Sequence, residues 1–119
     1  MEQEEIKRRT PSRGVIQARA AREVARPFSL RLGDWQSLSI KLQEMAKRHP
    51  TPSEADSMRA QIRALLEDVD ATATEYEEMV VTLPDESREH SVIRDTRHGF
   101  ALIRSRLEIA LAALAGSKV

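Results

Sequence analysis

Between Thr51 and Pro84 an apolar stripe runs Met58, Ile62, Leu65, Leu66, Val69, Ala73, Tyr76, Val80 and Leu83. Steps of three and four are the period of one helix face, and here they persist for about thirty residues, roughly 45 Å of helix. The start is marked as sharply as the stripe. In TPSE, Thr51 stands where an N-cap belongs, Pro52 takes the first helical position, and Glu54 can reach back to complete a capping box. After the turn LPDE a second stripe passes through Ile93, Thr96, Phe100, Ile103, Leu107, Ala110 and Leu114 until Gly116 offers a stop. So short a connection forces the two helices antiparallel, which predicts a long helical hairpin with its tip near residues 83–86.

Trp35, Leu38, Leu42, Met45 and Ala46 mark a further helix about half as long. It joins the open end of the hairpin through HPTP. It should therefore run back along the hairpin's base, where Leu102, Ile109 and Ala113 add a second apolar stripe. The expected fold is all-α: a long antiparallel hairpin plus a shorter N-terminal helix, making a three-helix bundle at one end. The helices are expected over about 34–48, 52–82 and 86–115, in a domain spanning residues 34–116.

Residues 1–33 are expected to form a basic arm, extended or mobile, in front of that domain. Thr10 and Pro11 repeat the cap-plus-proline start, so residues 11–25 can form a short helix that Pro27 ends. In residues 27–32, Phe28, Leu30 and Leu32 alternate with Ser29 and Arg31, the period-2 pattern of an extended segment. On this division, removing residues 1–32 leaves a folded helical body.

Charge divides the chain in the same place. Its 19 basic and 19 acidic residues cancel, yet residues 64–87 hold no Lys or Arg while carrying Glu67, Asp68, Asp70, Glu75, Glu77, Glu78, Asp85 and Glu86. The arm is the opposite, with Lys7, Arg8, Arg9, Arg13, Arg19, Arg22, Arg26 and Arg31 against four acids. Such segments attract each other, within one copy or between copies. The lack of Cys excludes disulfides, thiolate metal sites and a Cys nucleophile. No apolar run approaches the roughly 20 residues of a membrane span. The opening MEQEEIKRRT carries no apolar core of a secretory signal. A cytoplasmic protein without a membrane anchor is the expectation.

Chemistry is thinly represented. The histidines are His49, His90 and His98, and only Asp95 with His98 has a spacing that suits a shared metal. On a helical wheel both point away from the seam, and no second motif supplies partner carboxylates. No Ser lies in a G-x-S-x-G setting, and the four Gly form no phosphate-cradling loop. The expectation is a protein that is not an enzyme, with no catalytic residue, cofactor, metal or small-molecule substrate.

What remains is docking. The leading expectation is an adaptor or small subunit of a larger assembly, whose partner is another protein or a second copy. Phe28, Leu30 and Leu32 would anchor the arm, and Glu75, Glu77 and Glu78 would offer an acidic flank near the tip. The alternative is a nucleic-acid role, with Arg8, Arg9, Arg13, Arg19, Arg22, Arg26, Ser29 and Arg31 as contacts. Over residues 26–67 the order RPFSLRL, GDWQSLSIKLQEMAKR and TPSEADSMRAQIRALLE resembles a ribbon-helix-helix protein. The resemblance implies a ribbon over residues 26–32, paired between two copies in the DNA major groove. Ser29 and Arg31 would then face the bases, Phe28, Leu30 and Leu32 would form the dimer core, and the later helix would be an appended oligomerisation element.

Overall fold

A computed structural model describes residues 13–116. Their elements are α1 (Arg13–Ala46), α2 (Pro52–Val80), the single turn α3 (Asp85–Arg88) and α4 (Ser91–Gly116), and no strand occurs among them. The expected all-α hairpin is present: α2 and α4 run antiparallel with α3 at the tip, and the buried faces are the two stripes read from the sequence. The described residues form a rod, with α1 alone about 50 Å long.

The first helix differs from expectation. No break separates an arm from a body: residues 27–32, expected to be extended, are helical, and α1 runs unbroken through 34 residues with Pro27 inside it. The physical reason lies in the stripe that α1 buries. Ala21, Ala25, Phe28, Leu32, Ser39, Leu42 and Ala46 are buried and Trp35 packs against them, in steps of four and three from end to end. In this register Phe28 and Leu32 are one turn apart on the same face, whereas Leu30 points outward and is 69% exposed. Tertiary burial thus overrides both the five-residue alternation and the proline. Residues 1–12, which include the first positions of the expected arm, lie outside the described residues.

Pro27 is tolerated because of where it sits. A proline inside a helix leaves the carbonyl four residues earlier without its N–H partner. Here Pro27 and Glu23 are both exposed, so that carbonyl faces water. The conformational cost remains. Pro27→Ala is expected to raise stability by about 2 kcal/mol, the helix-interior penalty of proline less the entropy it removes from the unfolded chain. Thermal or urea unfolding of the two proteins checks this, and an unchanged midpoint would show a break at residue 27.

Because α1 reaches the tip, the bundle is three helices thick along the hairpin, not at one end alone. Near the tip the Gln17 amide donates to the Glu86 carboxylate. At mid-rod Phe28, Tyr76 and Phe100 meet, one from each long helix, with ring centroids 4.9, 5.7 and 6.4 Å apart. The buried Tyr76 hydroxyl donates to the Ile93 carbonyl at 3.1 Å, and burial pushes its phenol pKa up, so the ring stays neutral and bonded. Both α1 and α4 run antiparallel to α2 and therefore parallel to each other, and α1 packs more extensively on α4 than on α2. Gly99 permits that approach: a Cβ there would come within 2.9 Å of Leu32 Cδ1.

The helix ends are set by specific residues. Thr51 Oγ1 accepts from the Glu54 N–H and Glu54 Oε1 accepts from the Thr51 N–H, each at 3.2 Å, the capping box expected from TPSE. The bond from the Thr51 side chain, then the Thr51 backbone, hold the Glu54 carboxyl below its usual pKa. A lowered folded pKa means a stabilising contribution that is present above the unfolded value and lost as pH falls through the folded one. Thr51→Ala is expected to cost about 1 kcal/mol and to return the Glu54 titration, followed by NMR, to the ordinary range. At the other turn, His49 takes the left-handed conformation with φ 55° before Pro50 and closes α1. His90 Nδ1 accepts from the Val92 N–H at 3.2 Å, which caps α4.

Candidate functional site

The three helices present three grooves, and each has its own chemistry. Between α2 and α4 charges are paired internally. Arg97 grips Glu77 with two bonds, Nε to Oε1 at 2.6 Å and Nη2 to Oε2 at 2.9 Å, and this bond raises the Arg97 pKa. One heptad further, Arg104 bridges Asp70 and Glu108. Glu77 is therefore engaged within the bundle, while Glu75 and Glu78 of the same expected acidic flank are exposed and make no ion pair among the described residues.

Between α1 and α2 lie two shallow hollows that share Arg31, one lined by Pro27, Phe28, Glu75 and Met79 and the other by Trp35, Asp68, Ala71 and Thr72. Arg31 Nη1 donates to Thr72 Oγ1 at 3.4 Å. On a strand Ser29 and Arg31 would share a face, but on this helix they are about 200° apart. Arg31 turns toward α2 and Ser29 toward α4. The expected anchors separate as well: Phe28 and Leu32 are core residues, and only Leu30 is free at the surface. With residues 26–32 helical, the ribbon implied by the ribbon-helix-helix resemblance is absent from this chain's fold.

The third groove, between α1 and α4, was not legible as a site. Gly99 touches Leu32, so the α4 row on this side is Asp95, Gly99, Leu102, Arg106, Ile109 and Ala113. Opposite it, on the α1 flank away from Arg31, stand Arg19, Arg22, Arg26, Ser29, Gly33, Gln36 and Ile40. Toward the tip this surface is basic, and Arg19, Arg22 and Arg26 are exposed with no ion pair among the described residues. Toward the base Ile40, Leu102 and Ile109 are 39%, 37% and 48% exposed around the half-buried Arg106. The stripe expected to seat a short helix is therefore only partly used, since Ala113 packs against the core while Leu102 and Ile109 stay open. The missed signal was Ile40, which joins Leu102 and Ile109 only once α1 and α4 are known to be parallel neighbours.

Of the other expected nucleic-acid contacts, Arg8 and Arg9 lie outside the described residues, and Arg13 is the first residue of α1. Among the described residues no group of three His, Asp or Glu side chains could hold a metal, and no helix is long and apolar enough to cross a membrane. No family model, curated protein or solved structure matches the chain.

Proposed function

We propose that this chain is a non-catalytic interaction rod, an adaptor or small subunit that docks on other protein through its outer helical faces. The observation that carries this reading is the line of Ile40, Leu102 and Ile109, aliphatic side chains left open on one side of a rod whose interior is otherwise filled. Exposed aliphatics that recur along a helix pair are the usual anchors for a helix-in-groove or helix-on-face contact. The polar side chains suited to acid and base chemistry are dispersed. His90 caps α4, whereas His49 and His98 stand exposed on separate elements.

A second reading has one specific observation in its favour. Arg19, Arg22 and Arg26 form an exposed basic row of the kind that neutralises nucleic-acid phosphates. The two readings separate in one experiment, purification from the native cell with and without nuclease. The interaction reading expects a protein component, or higher-order copies of the chain, that survive nuclease treatment and are lost in Leu102→Asp/Ile109→Asp. If recovery of partners depends on intact nucleic acid, the basic row is the functional surface instead.

A further inference from the structure

On the tip half of α2 the acids that α4 does not engage are Glu67, Asp68, Glu75 and Glu78, all exposed and all on the outer face or the flank toward α1. Continued toward the base, the side of that face nearer α1 becomes small and uncharged: Ser57, Ala60, Gln61 and Ala64 are exposed there, while Arg63 and the Arg59-paired Asp56 lie on its far side. It is thus acidic toward the tip and small toward the base. The α1/α4 face is basic toward the tip and bulky toward the base, with Asp95 its one acid on α4. Phe28 beside Tyr76 and Leu32 beside Gly99 fix the relative heights of these residues.

We infer that the α1/α4 face of one copy receives the outer α2 face of a second copy. Two rods lie side by side and parallel, offset by about two helical turns, roughly 11 Å. At that offset Arg19 and Arg22 stand level with Glu78 and Glu75 of the neighbour, and Ile40, Leu102 and Ile109 lie over the stretch of its α2 where Ser57, Ala60 and Gln61 are exposed. The reverse orientation fails, because it sets Ile40 and Ile109 against the neighbour's tip at Asp85. Charge decides the occupant. A chain of zero net charge meets no long-range repulsion from its own copies, and Arg19 and Arg22 on one face are complementary in sign and in position along the rod to Glu75 and Glu78 on the other.

The contact joins two different surfaces, so it is heterologous, and each added copy offers the next one a free face. Assembly therefore continues past two, and it weakens with salt because the charged half of the contact is exposed. This inference rests on the interaction reading and names its partner.

Sedimentation of the full chain at low and high salt tests it. At about 20 mM salt the average mass is expected to rise with concentration beyond that of a dimer, and at about 500 mM to fall toward the 13.5 kDa chain. Arg19→Glu/Arg22→Glu/Arg26→Glu and Glu75→Lys/Glu78→Lys are each expected to weaken self-association about tenfold or more, and mixing the two variants to restore it. All five positions are exposed, so circular dichroism of each variant should match the parent. A parent that is monomeric at low salt overturns the inference whatever protein co-purifies with it, and so does one that stops at a dimer. Variants that associate as the parent does overturn the pairing of faces.

Discussion

Removal of residues 1–32 is expected to abolish the cooperative unfolding transition of this protein. The deletion takes Ala21, Ala25, Phe28 and Leu32 out of the core and strips the tip half of the bundle to two helices. Tyr76 and Phe100, buried in the intact rod, would face water on one side. Losing Phe28 alone is worth about 3–5 kcal/mol, and a domain of this size has about 5–15 kcal/mol in all. Loss of the three alanine and leucine contacts, together with the helix that presents them, exceeds what remains. The truncated chain should show reduced helicity, a broad melt and binding of an apolar dye. A sharp melt with hairpin helicity retained would return residues 1–32 to the status of an arm.

The second large effect belongs to a single side chain, and it separates helix from strand. Phe28→Ala is expected to destabilise the protein by about 3–5 kcal/mol, because it leaves a cavity between Tyr76 and Phe100 and removes two ring contacts. Leu30→Ala, two positions on, should change stability by no more than about 0.5 kcal/mol, since Leu30 is open to solvent. In an extended segment anchored by its alternating apolar residues, the two substitutions would act alike. Urea unfolding of both variants gives the comparison directly, and equal costs would contradict the helical register of α1.

How much of this could be read from residues alone follows from how strongly each signal repeats. The stripes of α2 and α4 repeat for six or more steps and TPSE marks the start of the first, so hairpin, tip and capping box were all legible, whereas the start of α4 at Ser91 instead of near residue 86 was not. The stripe of α1 was equally regular, but three of its members are alanine and one is Ser39, side chains with little apolar weight. Pro27 and a five-residue alternation were locally louder. Only the partner surfaces of α2 and α4 show that small residues on α1 are what a close approach at Gly99 requires. The candidate site was hidden for a related reason. Charge along the chain showed that basic and acidic segments exist, but not that Glu77 and Asp70 are engaged by α4 while Glu75 and Glu78 are left over. Pairing across helices is a property of the packed rod, and no spacing within one helix encodes it.

The parallel pairing of α1 and α4 also bears on how the molecule folds. The hairpin closes through near neighbours, as when Tyr76 bonds Ile93 only 17 positions away. α1 joins α2 through a connection as short as the tip, but its more extensive contact is with α4, where Leu32 meets Gly99 across 99 − 32 = 67 positions. Distant closure costs chain entropy before any contact repays it, so the hairpin forms first and α1 docks last. By the same ordering α1 is expected to be the segment whose amides exchange soonest in the native protein, opening as a unit while the hairpin stays protected. The helix that carries the basic row therefore precedes the hairpin in the chain yet is expected to be the last of the three long helices secured.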